Sequence, residues 1–535
     1  MAATKRKRPA NFKFEMPVTE AKKQDIMQNL QSVREVLCRK LGKPVNNTDI
    51  METLLETWKK SNDVCDSDEF KAPGTYTKVR KSQVNQNFFM TFLPSIRKLM
   101  DVVSSHGKYC KGILETKKVT KRGHVHSLKL TCTRGDRGKH SYIWASSPYL
   151  HNGKYLVNER INHAFLCSGM LPSHYSKFCN AAGIGILSVE KRYTFFKMYK
   201  KFVQEEYEDS CNTAILEEVG LYENLDGIDI ITDARHGWRK NAQDTSVVAI
   251  GERSHKVINC AHVTKADDHV SQRHEKIGTQ RIYDDLDSKN ISVNIHTHDR
   301  NMAINKFVRE REHGFTRNQN DLWHGIKSVK KTLTNISSGP RYMEGKTWSE
   351  ELVDKVEPVA THFYWAVKHC QGNSETLRTM LDNIVYHYQN NHKRCHSSSR
   401  CQRDPNYEPS KVVIENPVAI KLLRGAIVNS IIYKHADDFN LGKDTYFVES
   451  FNNTLNVYQD KRIAFGSEQY KVRAFLGTLH WNENVSREYT SISLKADPKA
   501  PRRLIGKKNY KKKTFNFRNN IWMRYIKFVY SKRAK

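Results

Sequence analysis

The sequence predicts an α/β protein with additional helical and small β-rich modules. Two observations lead to this prediction. Strand-like and helical runs follow one another in the order β-β-β-α-β-α between Ile228 and Val308. In addition, 38% of the 535 residues are hydrophobic, and a chain of this length holds about three domains with cores of their own. Most of the chain should therefore fold.

The charge of the chain predicts a polyanionic partner. Its formal net charge is +32 at pH 7, an excess that is typical of proteins that bind polyanions. No window approaches 18 uncharged apolar residues and the mean hydropathy is −0.70, which argues against a membrane protein. The 11 cysteines are odd in number and scattered along the chain. This pattern indicates a reducing compartment in which thiols are free or bound to metal.

Residues 1–16 form a basic tail. Lys5, Arg6, Lys7 and Arg8 precede a proline, and the apolar segment of a secretory signal does not follow them. We interpret the cluster as a nuclear localisation signal, with a solvated tail as the alternative. The sequence thus predicts a nuclear protein.

Residues 17–61 predict a helical N-terminal unit. Apolar residues recur at helical spacing from Ile26 to Leu41 and from Ile50 to Trp58, on either side of a Gly-Lys-Pro break. The unit could bind DNA as a helix pair, but a core-packing or dimerising hairpin is the more general interpretation.

Residues 83–220 predict a mixed β-rich and helical region for DNA binding or dimerisation. Its short alternating runs are 113–115, 127–131 and 141–145, and a helical pattern follows from 157. Cys110, Cys132 and His140 could belong to a zinc ribbon. Because no C-x2-C pair is present, we favour a module without metal.

Two acids mark corresponding points in the α/β region. The predicted strands are 228–232, 245–251, 256–263 and 291–295, and the predicted helices are 270–287 and 302–308. Asp233 follows the first strand and Asp299 follows the fourth, so both carboxylates would emerge at one sheet edge if these strands are parallel neighbours. Two Mg²⁺ ions about 3.5–4 Å apart need such oxygens from separate segments, usually with a third acid.

The surrounding motifs carry a family resemblance. They are Thr232-Asp233-Ala234-Arg235-His236, His298-Asp299-Arg300, Asp321-Leu322-Trp323-His324 with Lys327 and Lys330, and a helix start at 446–453 that contains Glu449. In these motifs the chain resembles the RNase H-like core of DDE DNA transposases and retroviral integrases, and especially the cut-and-paste transposases of animal genomes, such as the Kolobok-like group. It departs from that group at the N-terminus, because Cys38 and Cys65 cannot supply a zinc-dependent DNA-binding domain.

The resemblance implies a function and a site. Asp233, Asp299 and Glu449 would hold two Mg²⁺ (or Mn²⁺) ions, cleave double-stranded DNA at transposon terminal repeats and join the ends to target DNA. The RNase H-like core would lie in two parts, 225–330 and 441–490. The 150 residues between Asp299 and Glu449 are too many for one strand and one helix, which implies a mostly helical insertion over 331–440.

Other residues would support the reaction. Arg235, Arg300, Lys327 and Lys330 are expected to contact DNA, and the enzyme should act as a homodimer or higher homo-oligomer. Asp321 is the main rival of Asp299, and Glu275 is a possible helper carboxylate. Two alternatives stay open: a domesticated DNA-binding protein without catalysis, and an RNase H-like nuclease without strand transfer.

The insertion contains candidate zinc ligands. They are Cys370, His387, His392, Cys395, His396 and Cys401. Soft sulfur and nitrogen ligands favour one structural Zn²⁺, while an ordinary helical core is the alternative. His387 and His392 are five residues apart, which is a poor spacing for one helical face.

The C-terminal segment 491–535 predicts a basic, aromatic DNA-binding arm. From Lys499 onward it has 14 Lys or Arg and no Asp or Glu. The cations expected to contact phosphate are Arg502, Arg503, Lys507, Lys508, Lys511, Lys512 and Lys513. Interleaved aromatic rings could stack on bases or, alternatively, anchor a structural tail.

Overall fold

The computed structural model describes Glu35 and residues 88–134, 140–223, 227–238, 242–311, 316–338, 348–498 and 500–531. The chain divides into two units, Met1–Asn85 and Gln86–Lys535, and the elements below belong to the second. The predicted nuclear localisation signal and, except for Glu35, the predicted helical unit 17–61 lie outside the described residues. Within the described ranges, no helix combines the length and the apolar character needed to cross a bilayer.

The second unit opens with a helix and a small antiparallel sheet. These elements are α1 (Leu93–Tyr109), β1 (Leu114–Arg122), β2 (Val125–Cys132) and β3 (Ser141–Ala145). The strand order is β1-β2-β3; the runs 127–131 and 141–145 lie in strands, and the run 113–115 overlaps β1 at 114–115. β1 is longer than its run because it is mostly exposed, so its residues lack the apolar alternation that reveals a half-buried strand.

Three helices connect this module to the main sheet. They are α2 (Leu156–Cys167), α3 (Pro172–Ala181) and α4 (Val189–Val219). Ser188 caps α4 by accepting a hydrogen bond from the backbone N–H of Lys191. Phe195, Tyr199 and Phe202 of α4 belong to the large hydrophobic cluster that also contains residues of the main sheet. α4 is thus a central helix of the core.

The main sheet has five strands and is mixed. They are β4 (Ile228–His236), β5 (Asp244–Gly251), β6 (Val257–Thr264), β7 (Val293–His298) and β8 (Arg317–Asn320). The order is β6-β5-β4-β7-β8; β4 is antiparallel to β5 and parallel to β7. The predicted α/β class, the strand sequence and the parallel pairing of the first and fourth strands are confirmed.

Helices flank the strands that carry the two acids. α5 (His274–Ser288) precedes β7, and α6 (Met302–Arg309) follows it. Ile282 and Leu286 of α5 are fully buried and share a hydrophobic cluster with Val247 of β5. These contacts pack α5 against the main sheet.

A helical body lies between β8 and the return to the sheet. Its helices are α7 (Leu322–Ser337), α8 (Ser349–Leu352), α9 (Val356–His369), α10 (Ser374–Tyr388), α11 (Arg400–Arg403), α12 (Pro417–Val428) and α13 (Ile431–Lys434). All of them except α11 contribute to one hydrophobic cluster whose members run from Leu322 to Phe439. The helical body therefore begins at α7, earlier than the predicted boundary at 331, because Leu322, Ile326 and Val329 pack into it.

The chain then returns to the main core. The remaining elements are α14 (Tyr446–Leu455), α15 (Ser467–Asn484), β9 (Tyr489–Asp497), β10 (Ala500–Tyr510) and α16 (Asn516–Ser531). β9 and β10 form a separate antiparallel hairpin, and α16 packs into the core that contains α4 and α15.

The predicted C-terminal arm needs correction in its second half. Phe517, Ile521, Trp522 and Tyr525 of α16 are buried, so these rings anchor a structural helix and do not stack on bases. Their spacing of four, one and three residues follows one face of a helix. The alternative interpretation, an aromatic-anchored structural tail, describes α16, whereas the β9–β10 hairpin stays exposed.

Candidate active site

The two aspartates meet at the edge shared by β4 and β7. Thr232 of β4 pairs with His298 of β7, so Asp233 and Asp299 occupy the next position on each of two adjacent parallel strands. β4 continues to His236 through its pairing with β5. Asp233 therefore lies inside β4, not at its end as predicted, but at the point where the pairing with β7 stops.

Asp233 is a half-buried carboxylate held by two donors. Its Oδ1 accepts a hydrogen bond from the backbone N–H of Ala234 at 2.8 Å, and its Oδ2 accepts one from the side-chain amide of Asn452 at 2.8 Å. Burial, together with the charge of Asp299, raises the pKa of Asp233 to about 6. The two carboxylates thus repel each other, which a cation between them would relieve.

Asp299 lies beside the segment that precedes α14. The hydroxyl oxygen of Thr445 is 3.2 Å from Asp299 Oδ1, but its proton goes to the closer carboxylate of Asp321. Nε2 of His324 lies 3.8 Å from Asp299 Oδ1, and 46% of the Asp299 side chain is exposed. Asp299 is therefore open to solvent, as a metal ligand that meets substrate requires.

Glu449 reaches the same place from the first turn of α14. Its Oε1 lies 3.6 Å from His324 Nε2, and 57% of its side chain is exposed. His324 thus stands between the carboxylates of Asp299 and Glu449. The sequence missed a role for His324, although its spacing from Asp321 was a visible signal.

Asp321, the rival of Asp299, has a structural position. Its Oδ1 caps α7 by accepting from the N–H of His324 at 2.8 Å. Its Oδ2 accepts from the N–H of Thr445 at 2.7 Å and from the Thr445 hydroxyl at 2.6 Å. Asp321 is 4% exposed. It joins the start of α7 to the start of α14 and so sets the distance between His324 and Glu449.

Asp299, Asp321 and His324 form a grouping that could hold a metal ion. One ligand atom from each of these residues lies within 4.8 Å of the other two. Because both oxygens of Asp321 already accept hydrogen bonds, Asp299 is the more available carboxylate of the pair.

Glu275 of α5 is a fourth acid near the aspartates. Burial raises its pKa to about 7, and the charges of Asp233 and Asp299 add to the shift. The amide of Asn301 donates to Glu275 Oε2 at 2.7 Å. Glu275 therefore lies close enough to both aspartates for their charges to disfavour its ionisation, and its role as a helper carboxylate stays a prediction.

Arg235 does not fit the predicted role of a DNA contact. It is 3% exposed, and its guanidinium donates to the Asn452 carbonyl at 2.8 Å, to Asn456 Oδ1 at 2.7 Å and to the Gln459 carbonyl. All three acceptors lie in α14 or just beyond it. Arg235 thus ties the helix that carries Glu449 to the strand that carries Asp233.

The other predicted cations lie on the surface near the site. Arg300 is exposed, Lys327 lies over the exposed ring of Trp323 at 4.6 Å, and Lys330 forms an ion pair with Glu357. Trp323 also lines a cleft of about 360 Å³ that contains Glu449. Trp323, with Lys327 over its ring, therefore adjoins Glu449.

Half of the 14 C-terminal cations lie on β10 or directly after it. Arg502, Arg503, Lys507 and Lys508 lie on β10, while Lys511, Lys512 and Lys513 follow it, and all seven are exposed. Lys511 pairs with Glu488 at 2.5 Å. The hairpin is thus a cationic projection from the core.

A His/Cys grouping in the helical body could hold a metal ion. One ligand atom from each of His387, His392, Cys395 and Cys401, hereafter the Cys395 cluster, lies within 4.8 Å of the others. Cys395 Sγ is 3.5 Å from His387 Nδ1 and 3.8 Å from His392 Nδ1. The five-residue spacing of the histidines is no obstacle, because α10 ends at Tyr388 and the chain then turns.

Two of the six predicted zinc ligands lie outside the cluster. Cys370 is buried, and its thiol donates to the carbonyls of Val367 and Asn440. His396 Nδ1 is 2.8 Å from the Ser398 hydroxyl. In the cluster itself, burial and the charge of His392 lower the pKa of His387 to about 4, which keeps that imidazole in its neutral, ligating form.

No protein-family model matches this chain, and no curated protein is significantly similar to it. Function therefore rests on the geometry of the site.

Proposed function

We propose that the protein is a metal-dependent DNA transposase with an RNase H-like catalytic core. It would cut double-stranded DNA at the terminal repeats of a transposon and join the freed ends to target DNA. The observation that carries the proposal is the meeting of Asp233 and Asp299 on adjacent parallel strands, with Glu449 brought to the same edge by a helix from beyond the insertion.

The donor set suits two Mg²⁺ or Mn²⁺ ions. Asp233, Asp299 and Glu449 supply hard oxygens from three separate segments, as paired ions in phosphoryl transfer require. The raised pKa of Asp233 reflects burial and like charge, and bound cations would offset both. When bound, the ions activate water or a 3′-hydroxyl and stabilise charge on the phosphodiester.

The residues of the chain position these groups. Ala234 N–H and the Asn452 amide fix Asp233, while Asp299 lies beside the Thr445 hydroxyl. His324 Nε2 lies between the other two acids, 3.8 Å from Asp299 Oδ1 and 3.6 Å from Glu449 Oε1. Arg300, Lys327 and the hairpin cations would neutralise the DNA backbone.

The helical body supports one structural Zn²⁺ in the Cys395 cluster. Two sulfurs and two imidazoles are the ligand set of closed, tetrahedral zinc sites. Burial raises the pKa of the Cys395 thiol to about 11, so zinc would displace a proton there and bind more tightly as pH rises.

The +32 charge and the basic cluster at Lys5 support a nuclear, DNA-bound protein, which we propose acts as a homodimer or higher homo-oligomer. A domesticated DNA-binding protein is the second candidate. The exposure of Asp299 and Glu449 favours the enzyme, because carboxylates on a DNA-facing surface oppose binding unless cations join them.

Strand transfer tests the proposal. A labelled duplex with a free terminal-repeat 3′-OH is incubated with plasmid DNA and Mg²⁺, and covalent joining is measured. Joining by the wild-type protein, but not by Glu449→Gln, supports a transposase; Glu190→Gln, an exposed acid at the start of α4, is the matched control. Cleavage without joining indicates a nuclease, and binding without either reaction indicates a domesticated protein.

A further inference from the structure

We infer that α1 and the β1–β2–β3 sheet hold a second Zn²⁺, bound by His106, Cys110, Cys132 and His140, hereafter the Cys110 cluster. One ligand atom from each residue lies within 4.8 Å of the others. His106 is in the last turn of α1, Cys110 follows that helix, Cys132 ends β2 and His140 precedes β3. Four ligands thus converge from both layers of the module.

The spacing of the sulfurs matches a tetrahedral site. With zinc–sulfur bonds of about 2.3 Å at tetrahedral angles, two sulfurs should lie about 3.8 Å apart. Cys110 Sγ and Cys132 Sγ are 3.6 Å apart. Because all four positions come from the protein, the site would be structural, with no open position for a substrate.

Each sulfur is also oriented by the backbone. The N–H of Gly112 donates to Cys110 Sγ at 3.4 Å, and the N–H of Arg134 donates to Cys132 Sγ at 3.4 Å. Such donors favour thiolates and hold metal ligands in place. Gly112 is required for this approach, because a Cβ at residue 112 would lie 2.5 Å from Cys132 Sγ.

One imidazole nitrogen lacks another partner. His106 is 6% exposed, and its buried Nε2 has no hydrogen-bond partner. A buried polar atom without a partner costs about 1–3 kcal/mol. A metal ion accounts for the placement of this ring beside that of His140, 5.6 Å away between centroids.

α1 has few buried contacts with the rest of the module, so a zinc ion would stabilise its position. Ser95 and His106 are the only residues of this 17-residue helix that are buried, and Met100, Val103 and Tyr109 are at least half exposed. Near its start, α1 is held by the indole N–H of Trp144, which donates to the Ser95 carbonyl at 2.6 Å. Zinc would hold the C-terminal end of α1 against the sheet through His106 and Cys110.

Zinc analysis of the full-length chain tests the inference. Metal content is measured in the Cys395→Ser/Cys401→Ser protein, which isolates the Cys110 cluster, and again after Cys110→Ser/Cys132→Ser is added. We expect a loss of about one Zn²⁺ per chain between the two proteins, whether or not the Cys395 cluster binds zinc. Equal zinc content would overturn the inference, as would a Cys110–Cys132 disulfide detected by mass without reduction.

Amide hydrogen exchange gives a second test that leaves the Cys110 cluster unmutated, so it does not depend on whether the Cys110→Ser/Cys132→Ser variant folds. In the Cys395→Ser/Cys401→Ser protein, a zinc chelator should speed exchange in 93–109 while the β4–β8 sheet stays protected, and added Zn²⁺ should restore the protection. The exposed His140→Ala variant should need more zinc for the same protection. If the amide exchange rate in α1 changes neither with the chelator nor with added Zn²⁺, the proposed site is refuted.

Discussion

Replacing Arg235 by Met should loosen α14 from β4. The substitution keeps the apolar stem but removes the donors to the Asn452 and Gln459 carbonyls and to Asn456 Oδ1. Asn456 is exposed and Gln459 is buried. Water can therefore replace the lost hydrogen bond to Asn456 Oδ1 more easily than the lost hydrogen bonds to the two carbonyls. Two carbonyls that lose a charged donor should cost about 2–6 kcal/mol.

Amide hydrogen exchange measures this loss directly. At tenfold per 1.4 kcal/mol, amides of α14 should exchange at least about 30-fold faster in Arg235→Met. Arg235→Lys should recover only part of the protection, because an ammonium lacks the planar fork that reaches several acceptors. Strand transfer should fall in parallel, since Asn452 also donates to Asp233.

Arg300→Ala is the matched control, because Arg300 is exposed on the neighbouring strand end. It should leave exchange unchanged and flatten the slope of log K against log salt by about 0.9 for one phosphate contact. The reasoning is refuted if Arg235→Met behaves like Arg300→Ala, with normal exchange in α14 and a flatter slope, because Arg235 would then be a DNA contact.

Four further predictions concern the metals, the acids and the hairpin. Asp233→Asn, Asp299→Asn and Glu449→Gln should each abolish cleavage and leave DNA binding nearly intact; full activity in one variant would remove that residue from the site. Because the pKa of Asp233 is raised to about 6, its ionisation lowers stability as pH rises from about 4, the usual pKa of an aspartate, to about 6. The metal-free Asp233→Asn protein should therefore melt above the wild type at pH 7.5 and together with it at pH 3, and an equal difference at both pH values would contradict the electrostatic cause. Cys395→Ser should lower thermal stability and zinc content without reducing Mg²⁺-dependent binding of DNA ends, whereas unchanged zinc content would return the cluster to the helical core. Replacing Arg502, Arg503, Lys507 and Lys508 by Gln should flatten the salt slope by up to about 3.6 units, with unchanged melting and unchanged preference for terminal repeats; a full slope would place the DNA surface elsewhere.

The sequence predicted that the two aspartates share one sheet edge because apolar runs reveal strands, but it misplaced the end of β4, which the pairing with β5 extends to His236. The 228–232 run and the 291–295 run each lie largely within a strand, and parallel pairing brought their following acids together. Glu449 could not be placed by spacing alone. Its position depends on Asp321 and Thr445, which join α7 to α14 across the insertion.

Failures of prediction arose where burial is decided by distant segments. Arg235 sits in a charged motif, but its acceptors are more than 200 residues later in the chain. The candidate metal ligands of both clusters lie at or near the ends of helices and strands, where the periodicity of the sequence no longer predicts the direction of the chain. For α16 the signal was present in the sequence, because Phe517, Ile521 and Tyr525 have helical spacing. The 14 cations of the segment favoured a DNA-binding arm instead.

The packing of α16 against α4 has a consequence for synthesis. Tyr525 lies among Phe195, Tyr199 and Phe202, so the main core stays incomplete until the ribosome has passed residue 525. At 5–20 residues per second, that point comes roughly 15–60 s after Asp233 is made. A chain that lacks α16 would leave the apolar faces of α4 and α15 open to chaperones and proteases.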